Sequence, residues 1–140
     1  MSTIKTTVAQ TARGCRVWIE GAKLAEAGFC PNERYNLKYN DAEKRVELSL
    51  HPEGKRKVSN SQRNGVDRPI IDIETKKIGK FFGVGTELLV LLDHGRIHIF
   101  DNLITYPELK KRVVEFYPEK HGDVRVGLKN WQEKPFIFSL

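Results

Sequence analysis

The chain has 140 residues, and 24 Lys and Arg stand against 18 Asp and Glu, a net charge of +6. That length suits one domain with its own core, and 39% apolar with 30% charged residues is ordinary for a water-soluble fold. No apolar run approaches the roughly 20 residues of a membrane span, and Cys15 and Cys30 are too few for a disulfide scaffold, so a reduced, cytoplasmic setting without membrane association is expected.

The opening MSTIKTTVAQTARG lacks the apolar stretch of a secretory leader, and residues 1–13 are expected to form a flexible N-terminus. Val17 to Ile19 reads as a short strand, followed by a helical turn carrying Leu24, Ala27 and Phe29. Tyr35, Leu37 and Tyr39 then alternate with Asn36, Lys38 and Asn40, and Val46, Leu48 and Leu50 alternate with Arg45, Glu47 and Ser49. A period of two marks half-buried strands, here joined by a turn over 40–44. Residues 51–69 hold five basic against two acidic side chains, so half of the net charge sits in a segment rich in Gly, Asn, Ser and Pro. The stretch 51–67 is therefore expected to be an exposed basic connection.

From Arg68 the pattern returns. Ile70 to Ile73 reads as a strand, Ile78, Phe81 and Phe82 mark a helical turn, and Asp93-His94-Gly95 reads as a tight hairpin before Arg96 to Phe100. Leu88 to Leu92 is apolar at every position, so this strand is expected to be the most central. Residues 16–50 and 68–100 thus read as two β-α-β-β copies within one unit spanning 14–100, each too small to close a core alone. Residues 101–140 form an appendage. Thr105 to Glu108 is a capping box with Pro107 in the first turn, and Leu109, Val113, Val114 and Phe116/Tyr117 recur at helical spacing until Pro118. Two short strands are expected over 123–128 and 135–140, with Trp131, Phe136 and Phe138 as candidate anchors for a protein partner.

Catalytic chemistry finds little support. Neither cysteine has a local nucleophile signature, and both read as small buried hydrophobes. His94 and His98 stand four apart on a hairpin with no cysteine pair to complete a metal site. Gly83-Val84-Gly85 is too short for a dinucleotide fingerprint. Asp72 and Glu74 share a strand face without a cleft. No catalytic residue, metal or cofactor is expected.

Short strand, one-turn helix and then GVGTELLVLLDHGRIHI resembles the swapped-hairpin SpoVT/AbrB-like DNA-binding domains. Gly83, Gly85, Leu88, Val90, Gly95, Ile97 and Ile99 occupy the positions of that family's ending, whereas the first copy has Phe29 near the glycine position and no glycine in its hairpin. The resemblance covers roughly residues 15–100. It implies a mainly β, α+β fold in which the two copies interlock as a pseudo-dimer barrel within one chain. The alternative assembly is a homodimer. The stretch HPEGKRKVS to RPIIDI is also similar to a small domain preceding some phage-type DNA cytosine methyltransferases, but no methyltransferase motif follows.

In AbrB-like folds the strand–helix openings present basic side chains to phosphates. The matching positions are Arg16 and Lys23 in the first copy and Arg68, Lys76, Lys77 and Lys80 in the second. Lys55, Arg56, Lys57 and Arg63 would extend this strip as an arm reaching a groove. The resulting expectation is a non-enzymatic double-stranded-DNA-binding regulator of a phage or mobile element. The alternative is a protein-binding module: an inhibitor of a host enzyme, such as a defence enzyme, or a toxin resembling SymE.

Overall fold

The computed structural model describes residues 2–101. The expected C-terminal helix and strands, with Trp131, Phe136 and Phe138, lie outside the described residues.

Alternating apolar residues build a mainly β architecture with two short helices. The order is β1 (Ser2–Thr7), β2 (Ala9–Thr11), β3 (Gly14–Glu20), α1 (Ala22–Glu26), β4 (Arg34–Asn40) and β5 (Arg45–Leu50). It continues with β6 (Arg56–Lys57), β7 (Ser59–Asn60), β8 (Pro69–Thr75), α2 (Lys76–Phe82), β9 (Glu87–Asp93) and β10 (Arg96–Asp101). All pairing is antiparallel. The larger sheet runs β1-β9-β10-β5-β4-β6 and the smaller β2-β3-β8-β7.

The orders β3-α1-β4-β5 and β8-α2-β9-β10 occupy the two segments read as copies. Corresponding strands pair with each other: β3 with β8, where Trp18 lies opposite Asp72, and β5 with β10, where Glu47 lies opposite His98. Two segments depart from expectation. Residues 1–13, expected to be flexible, contain β1 and β2, and the connection 51–67 contains β6 and β7. β1 runs along β9 of the second copy, and β6 runs along β4 of the first. These edge strands find backbone partners that no local pattern announces.

Both edge strands turn from one sheet into the other at a buried valine. The Val8 amide donates to Thr86 O (3.0 Å) and its carbonyl accepts from Gly85 (2.8 Å). The Val58 amide donates to Glu33 O (2.8 Å) and its carbonyl accepts from Asn32 (2.9 Å). Gly85 and Asn32 both take positive φ, 84° and 75°, a conformation that favours glycine and that asparagine tolerates. The described chain therefore repeats a β-β-β-α-β-β order, once from Ser2 and once from Arg56.

Within the connection, Arg63-Asn64-Gly65-Val66 closes a hairpin through reciprocal bonds of 3.1 and 2.9 Å between Arg63 and Val66. Asn64 and Gly65 have φ of 53° and 77°, as the type I′ turns favoured by Asn-Gly require. The exposure expected of the connection holds along its tip, but the backbone there is a built hairpin.

The core lies between the sheets. Val17, Ile19, Ile71 and Ile73 face Val46, Leu48, Leu88, Val90, Ile97 and Ile99, and Leu24, Phe29, Ile78 and Phe81 close its ends. β9 is not the central strand: it lies second from the edge, between β1 and β10. Its continuous apolar run reflects two covered faces, which is a different property from a central place in the sheet.

Candidate nucleic-acid interface

The ten cationic candidates fall into three groups, with Arg16 apart from all of them. The first group stands on α2. Thr75 is extended (φ −150°, ψ 158°), and its hydroxyl caps the helix by accepting from the Ile78 amide at 3.1 Å. The helix buries Ile78, Phe81 and Phe82 and leaves Lys76, Lys77 and Lys80 exposed. Gly79 allows it to sit close to β3, because a Cβ there would overlap the Cys15 side chain.

Neighbouring elements add to this group. Lys77 Nζ lies 4.3 Å from the centre of the Tyr39 ring, and Lys44 Nζ lies 4.8 Å from that of Phe81. The two rings meet edge-on at 5.1 Å, so two ammonium groups rest on one aromatic pair. Gly14 packs on the Lys76 backbone and brings Arg13, in the β2–β3 turn, beside the helix. Arg13, Lys44, Lys76, Lys77 and Lys80 thus share one end of the molecule. Among the described residues, no acidic side chain pairs with any of these five. Asp41 is an exposed acid in the same β4–β5 turn as Lys44.

Arg63, Arg68 and Lys23 stand at the opposite end of the smaller sheet. The register sets this separation: Cys15 pairs with Thr75 at the α2 end, and Glu20 pairs with Ile70 at the α1 end. The five residue steps between these pairs separate the ends by about 17 Å. A groove of about 530 Å³ lies at the α1 end, lined by Gly21, Ala22, Ala25, Arg63, Val66, Asp67, Arg68 and Pro69. Arg68 Nε is 3.4 Å from Glu20 Oε2, and Lys23 Nζ donates to Thr3 O at 2.7 Å. Hydrogen bonds from Gln62 and Asn60 hold the Asp67 carboxyl below its usual range, so it stays ionised beside these arginines.

Lys55, Arg56 and Lys57 lie along the edge of the larger sheet, where Lys57 pairs with Arg34. Burial pushes the Tyr35 phenol upward, and the charge of Arg56 opposes that shift. Arg16 is engaged on the smaller sheet itself. Its Nε is 2.9 Å from Asp72 Oδ1, its Nη2 is 3.6 Å from Glu74 Oε2, and its guanidinium lies 5.3 Å from the Trp18 ring. The acidic pair read on that strand serves this arginine. The structure therefore brings together Lys76, Lys77 and Lys80 and adds Arg13 and Lys44, which no motif in the sequence singles out. Arg13 could have been found from its place before Gly14 in a short turn, and Lys44 from its place closing the turn at 40–44.

His94 is exposed in the β9–β10 turn, whereas His98 is buried and its Nδ1 lies 3.1 Å from Arg45 Nη1. Burial lowers His98 to about 4, Glu47 opposes the shift, and Arg45 and Arg96 add to it. Among the described residues no group of His, Cys, Asp and Glu is placed to hold a metal ion. No described helix is long and apolar enough to cross a membrane. No family model matches the chain, and no curated protein or solved structure matches it.

Proposed function

We propose that this chain is a non-enzymatic, duplex-DNA-binding protein whose main phosphate-binding surface is the α2 end. The observation that carries the reading is the convergence of Arg13, Lys44, Lys76, Lys77 and Lys80 without acidic partners among the described residues. Cations on a sheet end and a helix surface suit phosphate contacts, which position a duplex without reading its sequence. The fold belonging to this reading is a SpoVT/AbrB-like pseudo-dimer, interlocked within one chain. It is supported by the pairing of β3 with β8 and β5 with β10, and by the reciprocal placement of β1 and β6. A regulatory role in a phage or mobile element goes with that resemblance.

The test is a mobility-shift titration with random-sequence duplex at low salt. Four or five phosphate contacts give a slope of log K against log salt of about −4, because each contributes about −0.9. Affinity then falls by roughly a hundredfold or more between 50 and 200 mM salt. The absence of any shift at tens of micromolar protein rejects the reading and favours a protein partner.

A further inference from the structure

The hairpin beside the α1-end groove carries chemistry that neither the fold nor the cationic surface uses. Asn64-Gly65 is the only Asn-Gly pair in the chain. Both residues are exposed at the tip of the turn that Arg63 and Val66 close. Among the described residues, neither the Asn64 carboxamide nor the Gly65 amide has a hydrogen-bond partner. Gly65 has no side chain to hinder approach to its nitrogen, and even a Cβ there would meet nothing within 4 Å.

The support of the sheet ends before this tip. β3 pairs with β8 only from Ile70 onward, and β7 ends at Asn60. Residues 61–68 therefore pair their backbones only with one another, through Ser61 with Arg68 and Arg63 with Val66. Bonds from Asn60 and Gln62 to the Asp67 carboxylate stand below the tip rather than at it. Two strands without a third are marginally stable in water, so the tip opens far more often than the sheet.

We propose that Asn64 is a modification site, at which the folded chain deamidates through a succinimide formed with the Gly65 amide. Hydroxide removes the amide proton, and the Gly65 nitrogen attacks Asn64 Cγ as the tip opens. A bond forms between that nitrogen and Cγ, the Cγ–Nδ2 bond breaks, and Nδ2 leaves as ammonia with a proton from water. Water then opens the ring at either carbonyl, giving an aspartyl or an isoaspartyl residue at position 64. Both products place a new carboxylate next to Arg63, and the isoaspartyl form also adds a methylene to the backbone. A two-residue turn cannot absorb that extra atom while keeping both bonds between Arg63 and Val66. The change falls on the groove, which Arg63 and Val66 line, and leaves the α2 end as it was. Asn32, Asn36, Asn40 and Asn60 are followed by Glu, Leu, Asp and Ser, whose side chains hinder the same attack. Asn36, Asn40 and Asn60 are also held by hydrogen bonds through their side chains.

The test incubates the full chain at mildly alkaline pH and follows tryptic peptides by mass spectrometry with isoaspartate detection. Cleavage after Arg63 puts Asn60 and Asn64 in separate peptides. Conversion at position 64 should be at least about tenfold faster than at Asn32, Asn36, Asn40 or Asn60, which the fold holds back. The urea-unfolded chain should convert there less than about a hundredfold faster than the folded one, because opening the tip costs little. Asn64→Gln should remove most of the isoaspartate formed by the folded chain, since the longer side chain closes a larger ring more slowly. A smaller ratio between position 64 and the other asparagines, or a greater slowing by folding, overturns the proposal. Isoaspartate that forms undiminished in Asn64→Gln also overturns it.

Discussion

The third and fifth residues of β4 and β5 are Asn36, Lys38, Glu47 and Ser49; those of β9 and β10 are Leu89, Leu91, His98 and Phe100. All eight belong to the outward face of one sheet, yet the first set is exposed or half-buried and the second is buried. The intervening, core-facing positions are apolar in both halves: Tyr35, Leu37, Val46 and Leu48 against Leu88, Val90, Ile97 and Ile99. A closed core therefore demands only every second residue, and the other positions report what lies outside. The helices differ as well. α2 carries Lys76, Lys77 and Lys80 with no acid, whereas α1 carries one lysine and one glutamate. One half has acquired a second covered face and a cationic end that the other lacks.

Matched substitutions test that asymmetry most strongly at the sheet. Leu91→Ala should lower unfolding free energy by about 2–5 kcal/mol, the range for truncating a fully buried leucine. Lys38→Ala, at the matching exposed position, should stay within about 0.5 kcal/mol. Urea denaturation with comparable m-values checks both, and equal effects would remove the distinction between the two outer faces.

His98 and Glu47 face each other across β5 and β10, and pH separates their roles. The buried imidazole falls to about 4 from 6.5, so below pH 6.5 the unfolded chain takes up a proton that the folded chain refuses. This cost is absent above about pH 7, grows as pH falls from 6.5 and is complete below about 4. It amounts to about 3 kcal/mol in all, at about 1.4 per unit. His98→Phe should remove that portion of the acid sensitivity. Identical pH slopes in the variant and the unaltered chain would show that the imidazole does not resist protonation.

Much of this architecture is legible in the amino-acid order. The alternation at Tyr35–Tyr39 and Arg45–Leu50 marks β4 and β5, and the Gly95 turn separates β9 from β10. β1, β2, β6 and β7 are hidden for a physical reason. Each edge segment buries a single valine, Val8 or Val58, in the core, joined in β1 only by the half-buried Ile4, and otherwise relies on backbone bonds to a distant strand. No period forms from one or two residues. A trace does exist, since Val8, Thr11 and Arg13 recur in spacing as Val58, Ser61 and Arg63, and Asn64-Gly65 announces a hairpin. Arg16 shows the corresponding limit at the candidate site. Its partners Asp72 and Glu74 are more than fifty positions away, so only the β3–β8 register reveals that its charge is balanced.

The α2 end gives the most direct test of the binding account, with the α1 end as its internal control. Anisotropy titrations of one labelled duplex across a salt series should compare the unaltered chain, the Lys76→Ala/Lys77→Ala/Lys80→Ala variant and Lys23→Ala. The triple variant should flatten the slope of log K against log salt by about 3 and weaken binding to all sequences alike. Lys23→Ala should leave the slope unchanged, because that side chain is bonded to Thr3 O. An unchanged slope in the triple variant, or an equal loss in Lys23→Ala, would contradict phosphate binding centred on α2.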